Sequence, residues 1–190
     1  MGDRFWVILC KFCKSSMLEI SLQPSKSGRN DNVAQAKTNA MRILDAKKVS
    51  YDMYTYDNKD GKIDGVSVAE KIGRDPKEVY KTLVAQGASK NIYVFVIPVA
   101  EELDLKKAAK AAGEKNVEML PVKDIQKWTG YIRGGCSPIG MKKEYKTFID
   151  EHAKGLDTII VSAGKIGVQI VLDPVQLQEV TKADIVPVIK

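Results

Sequence analysis

Few residues in this chain could do chemistry, and most stand in poor company. The only histidine, His152, lies in the charged stretch Asp150-Glu151-His152-Ala153-Lys154, as on a solvated surface. A Ser-His-Asp triad or a Cys-His dyad would have to use it. Cys136 lies among glycines with no assignable base to activate it. Cys10-Lys11-Phe12-Cys13 is a C-x-x-C, a redox pair or half a zinc site, but no second C-x-x-C follows. Asp57-Asn58-Lys59-Asp60-Gly61 has the acidic spacing of a calcium loop without its distal Glu, and reads as a turn. Lys81 is different: it is the one charge between Tyr80 and the apolar Leu83-Val84. A lysine entering a buried strand must reach solvent, an acceptor or an anion, because burying it unpaired is costly. A snorkelling structural lysine meets the same requirement.

The stretch that any such group must serve is Thr129-Gly130-Tyr131-Ile132-Arg133-Gly134-Gly135-Cys136-Ser137-Pro138-Ile139-Gly140. Its glycines open positive φ and close backbone approach, and its proline removes a donor. Such a loop can aim backbone N–H groups at an anion or a polarised carbonyl oxygen. A tight connection between sheet elements has the same composition. Gly134-Gly135 lacks the spacing of a Walker or dinucleotide fingerprint. A donor loop plus one lysine suits a reaction whose substrate brings its own nucleophile, the protein supplying position and electrostatics.

The elements that position these groups are mixed. Ala34 to Lys48 reads as a helix with Ala40, Ile43 and Leu44 on one stripe. Tyr51 to Tyr56 is rich in strand formers. A short helix follows, with Val68, Ala69 and Ile72 inward and Gly73 as its stop. Asp75-Pro76-Lys77-Glu78 has the signature of a brief helix start. Tyr80–Val84 is strand-like, and Ile92–Ile97 is the best candidate for a strand buried on both faces. Leu103–Ala112 is a helix with Leu105, Ala108, Ala109 and Ala112 buried and Lys106, Lys107 and Lys110 outward. Val117–Leu120 reads as a short strand and Val122–Trp128 as a short helix. Thr158–Ser162 and Val168–Leu172 form a hairpin around Gly164 and Gly167. Asp173-Pro174 opens another helix, and Ile185–Val188 is an edge strand. Without a strict βαβ alternation, the class is α+β.

A chain of 190 residues with 44% hydrophobic content forms one domain with a real core. The net charge of +6 and pI near 9.1 favour an anionic partner such as nucleic acid. Three cysteines fit a reducing cytosol rather than a disulfide framework. No apolar run approaches a transmembrane length, and Phe5–Leu9 is too short for a usual signal-peptide core. Residues 1–33, ending in Ser25-Lys26-Ser27-Gly28-Arg29-Asn30-Asp31, read as a poorly ordered extension.

Tyr80-Lys81-Thr82-Leu83, Leu103 to Lys110, Gly130-Tyr131 through Gly134-Gly135-Cys136-Ser137-Pro138-Ile139-Gly140, and Val161-Ser162-Ala163-Gly164-Lys165 together strongly resemble the YbaK/EbsC proteins. These are Cys-tRNA(Pro) deacylases related to the editing domain inserted in bacterial prolyl-tRNA synthetases. The resemblance covers about 34–189. It implies a single domain with a mixed, partly barrel-like sheet flanked by helices. It implies a free-standing, cytoplasmic trans-editing enzyme, without metal or cofactor, whose partners are aminoacyl-tRNA(Pro) and prolyl-tRNA synthetase.

In that family the thiol of the bound cysteine attacks its own ester carbonyl, releasing tRNA and a thiolactone. The resemblance makes Lys81 the essential lysine and has Gly134 and Gly135 present backbone donors to the ester. Tyr56, Thr82, Tyr131, Cys136, Ser137, Pro138, Ser162, Gly164 and Gln169 would line the substrate pocket. The family often has an aspartate where this chain has Gln169, so rate or amino-acid selectivity would differ. Two rivals are an Ala-tRNA(Pro) deacylase using water and a non-catalytic binder of tRNA or synthetase. Charge alone offers two candidate phosphate contacts: the helix Leu103–Ala112, and Lys142, Lys143 and Lys146 after the loop.

Overall fold

The computed structural model describes residues 36–190, so the extension expected over 1–33 and its C-x-x-C lie outside the described residues. The elements run α1 (Asn39–Ala46), β1 (Asp52–Thr55), α2 (Gly65–Ile72), β2 (Tyr80–Gly87), β3 (Ile92–Pro98), α3 (Leu105–Ala112), β4 (Val117–Met119) and α4 (Val122–Thr129). Then follow β5 (Lys146–Asp150), a 3-10 turn (Glu151–Gly155), β6 (Ile159–Ser162), β7 (Val168–Leu172), α5 (Pro174–Thr181) and β8 (Asp184–Val186). Local chemistry sets most boundaries. Thr38, Asp64, Asp104 and Asp173 cap α1, α2, α3 and α5 with side-chain oxygens, and Gly73, Gly113 and Gly130 close helices in the left-handed conformation.

The strands form two sheets. The larger has the order β4-β2-β3-β5-β8, antiparallel around β2 and parallel from β3 through β5 to β8. The smaller is antiparallel, in the order β1-β7-β6. They meet where Val79 bridges Ile160 in parallel and Ile160 N–H donates to the Glu78 carbonyl at 2.9 Å. The expected α+β class holds. The expected partly barrel-like sheet is two touching sheets, and the described residues form no closed barrel.

Tyr80, Val94, Val96 and Ile149 pack against Ile159, Val161, Val168 and Ile170 to make the core between the sheets, with Leu44 of α1 and Leu177 of α5. The far face of the larger sheet, with Phe95, Ile97 and Phe148, is covered by Ala108 and Ala109 of α3. Every residue of β3 is buried, as its apolar run predicts. The outer face of the smaller sheet, with Ile160 and Val171, is covered by α2.

Three local expectations differ from the fold. Asp75-Pro76 opens a single turn, not a helix: Asp75 accepts from Lys77 N–H and from Glu78 N–H at 2.9 Å. Val79 is then claimed by Ile160 on one side and by Val99 N–H on the other, so pairing overrides the helix signal. Helix α3 starts two residues later than expected. Leu103 bridges Ile189 and is buried, while Leu105 is 43% exposed. Strand β5 lies in a stretch read only as a basic flank; it is central, between β3 and β8.

Candidate functional site

The site is built by register. Ser162 stands opposite Gln169, and Gln169 stands opposite Tyr54. The neighbouring row on the same face joins Ile160 to Val171, both packed under α2. Side chains alternate along a strand, so Ser162, Gln169 and Tyr54 share that α2-covered face. The isolated parallel Val79–Ile160 bridge joins β6 to the start of β2, and Lys81 and Ser162 each lie two residues beyond it, on the same side of their strands as the bridged pair. Four separate segments of the chain thus contribute to one row: Lys81, Ser162, Gln169 and Tyr54.

Each member is held. The Lys81 ammonium donates to the Val99 carbonyl at 3.1 Å. Burial pushes its pKa below the ordinary 10.5, against the weaker opposite pull of Glu102 and Glu101. Val99 is fixed by its bond to the Val79 carbonyl and by α2, since a Cβ at Gly65 would lie 2.3 Å from Val99 Cγ1. Gln169 is 5% exposed, and its side chain has no hydrogen-bond partner among the described residues. Tyr56 follows β1 with its N–H on the Gly167 carbonyl at 3.0 Å. Its ring is buried, and its hydroxyl has no partner among the described residues. The Lys71 ammonium lies 5.8 Å from the Tyr56 ring centroid. It also donates to the carbonyls of Asp57 and Lys62 and to Asp60 Oδ1.

The glycine loop closes against this region, backbone to backbone. A Cβ at Gly135 would lie 3.0 Å from Ile166 N and 3.2 Å from Lys165 C, in the turn between β6 and β7. At Gly134, with φ +83°, it would lie 2.7 Å from Ile63 Cδ1, just before α2. Gly135 does not offer the donor expected of it: its N–H is turned to the Ile132 carbonyl at 3.1 Å. The Gly134 N–H has no hydrogen-bond partner among the described residues.

Tyr131, Ser137, Pro138 and Gly164 take part in the loop's own packing. Tyr131 donates its hydroxyl to the carbonyls of Ile139 and Gly140, at 2.7 and 3.1 Å. Its ring leaves room only for glycine at 164, where a Cβ would come within 2.7 Å of Tyr131 Cε1. Ser137 Oγ accepts from the Ile139 N–H, and Ser137 and Pro138 are buried. Cys136 packs with Val84, Ile92 and Leu120 under α4, and burial pushes its thiol up to about 11. Thr82 points to the opposite face of β2 from Lys81 and has a buried hydroxyl without a partner among the described residues. The exposed ring of His152 lies 2.7 Å from the fully buried carboxylate of Asp150, as a surface cap.

Sequence reasoning missed Tyr54, Ile63 and Lys71. Tyr54 carried a signal: it alternates with Tyr56 in a strand-forming run and so shares its face. Ile63 and Lys71 carried none, because only the fold brings them to Gly134 and to the Tyr56 ring.

The family model of the aminoacyl-tRNA editing domain matches residues 64–180. A protein of Enterococcus faecalis, provisionally named Cys-tRNA(Pro)/Cys-tRNA(Cys) deacylase EbsC, is 50% identical over 147 residues, covering 77% of this chain and 90% of its own length. A proline–tRNA ligase of Burkholderia orbicola is 26% identical over 110 residues, 56% of this chain and 19% of the ligase. A crystal structure of a candidate trans-editing enzyme for prolyl-tRNA synthetase superposes with a TM-score of 0.69 at 19% identity, covering 82% of this chain and 99% of that one. No helix among the described residues is long and apolar enough to cross a membrane.

Proposed function

The chain belongs to the aminoacyl-tRNA editing domain family, and from that premise we propose that it deacylates Cys-tRNA(Pro) in trans, in the cytoplasm beside prolyl-tRNA synthetase. The observation that carries this reading is the row itself. Half-buried Lys81 and Ser162 stand with buried Gln169 and the buried, unpartnered Tyr56 hydroxyl, and the Gly134-Gly135 loop closes on the 165–166 turn that follows Ser162. Among the described residues no histidine or reactive cysteine belongs to it: His152 is on the surface and Cys136 is packed under α4.

A row of this kind stabilises charge but supplies no nucleophile. The substrate's own cysteine thiol fills that gap. Its sulfur forms the new bond to the ester carbonyl carbon, the bond from that carbon to the ribose oxygen breaks, and the thiol proton ends on the ribose hydroxyl. Free tRNA and a cysteine thiolactone leave. In this mechanism Gly134 N–H donates to the carbonyl oxygen as it gains charge, the contribution expected of a preorganised donor. Lys81 exchanges the Val99 carbonyl for the substrate's developing anion or the terminal phosphate. Gln169, Ser162 and Tyr56 hold the aminoacyl group, and the close seat of Gly135 on the 165–166 backbone fixes the loop.

The test is deacylation of Cys-, Ser- and Ala-tRNA(Pro) by wild type and Lys81→Ala. Loss of cysteine alone, abolished in the variant, is the expected result. Equal loss of alanine would show water as the nucleophile, and no acceleration of any ester would leave a binding module.

A further inference from the structure

The loop that borders the row also has a back. Residues 138–141 form the floor of a groove of about 510 Å³, walled by the ends of α1 and α5 and the start of β5. Lys47, Lys143, Lys146 and Lys182 line it, with Glu144 as the one lining carboxylate among the described residues. Lys182 pairs with Glu144 at 2.8 Å, and Lys146 reaches Asp184 at 3.6 Å, so the excess charge is positive. Lys182 ends α5 at φ 53° and ψ 38°, a left-handed position that ordinarily favours glycine. The chain keeps a cation there instead.

Distance links groove and row. Gly135 and Pro138 are three residues apart, and a chain extends at most ~3.6 Å per residue, so their Cα atoms lie within about 11 Å. The other basic candidate is placed differently. In helix α3, Lys107 spends its ammonium on the Ile189 carbonyl at 2.7 Å.

We propose that this groove docks the sugar–phosphate backbone of the RNA whose 3′ ester occupies the row of Lys81, Ser162 and Gln169. The proposal rests on the deacylase reading for the identity of the RNA, and its test separates the two. Lysine ammonium groups facing phosphates release counterions on binding, which makes affinity fall with salt.

The variant Lys47→Gln/Lys143→Gln/Lys182→Gln leaves the row untouched. Binding of uncharged tRNA(Pro) is measured over a salt series, and deacylation is measured on Cys-tRNA(Pro) and on the cysteinyl ester of adenosine. The expected changes are a fall of about 2–3 in the slope of log affinity against log salt, about tenfold lower affinity and about tenfold higher KM on tRNA, with kcat unchanged. Cleavage of the adenosine ester stays at the wild-type rate. Wild-type salt slope and KM in the variant would overturn the groove while leaving the deacylase reading standing. If wild type cleaves neither ester, that reading fails, and the tRNA salt slope still decides the groove.

Discussion

The ammonium of Lys81 rests 3.1 Å from the carbonyl oxygen of Val99, the residue that α2 presses against through Gly65. A half-buried cation on one carbonyl is held but poorly compensated. Its pKa is lowered, so charged Lys81 costs stability below that pKa, and the cost fades as pH rises toward the ordinary 10.5. Lys81→Met therefore raises stability at neutral pH, read as a higher Tm. The gain shrinks toward pH 10.5. The same variant loses deacylation by about 10²–10³-fold. Thermal melts over a pH series, beside single-turnover assays, check both halves.

Gly135→Ala puts a methyl 3.0 Å from the Ile166 nitrogen, a backbone atom with little room to yield. The loop must lift from the 163–167 turn, and activity falls more than stability, about tenfold or more against roughly 1 kcal/mol. Gly164→Ala meets the Tyr131 ring at 2.7 Å and must also hold φ +93°, so it costs stability first, about 2–3 kcal/mol. Denaturant titrations of the two variants, compared with their kcat, separate the cases.

Cys136 is expected to be unreactive in the folded protein. With its thiol held up to about 11, almost none is thiolate near neutral pH, so thiol reagents label it only on unfolding. Folded protein binds this proton more tightly than unfolded protein, so the stability tied to it falls as pH rises from 9 toward 11. Cys136→Ala keeps catalysis and loses about 1 kcal/mol of packing. Labelling kinetics in a Cys10→Ser/Cys13→Ser background give a clean measurement; rapid native labelling would contradict the burial argument.

Gln169→Leu removes an amide that has no partner among the described residues, so stability changes little. KM for Cys-tRNA(Pro) rises, because the replacement cannot hydrogen-bond the aminoacyl group. A variant with unchanged KM would remove Gln169 from the pocket.

Several parts of the fold could be read directly. The caps at Asp104 and Asp173, the stops at Gly73 and Gly113, and the apolar run of β3 are local signals, and the structure keeps them. Strand β5 was not legible, because Lys146-Thr147-Phe148-Ile149-Asp150 gains its partners from Val94 and Ile185, both distant in sequence. Asp75-Pro76 carried a true helix signal that two strand pairings overrule. The site divides in the same way. Lys81 stood out because its charge conflicts with its neighbours. The row it joins depends on Tyr54 finding Gln169, a register that no local pattern encodes. Gly134 and Gly135 looked equivalent in sequence, and one hydrogen bond to Ile132 makes them unequal.

Lys71 gives the loop over residues 57–62 an internal counter-ion. Two carbonyls and the Asp60 carboxylate converge on its ammonium at 2.6–2.9 Å, much as oxygen ligands converge on a bound metal ion. Because this cation is part of the chain, the loop beside Tyr56 keeps its shape through chelators and through changes in divalent-ion supply. The arrangement is exposed to a different chemistry: acylating that single amine would erase the charge that gathers the three oxygens and loosen the loop.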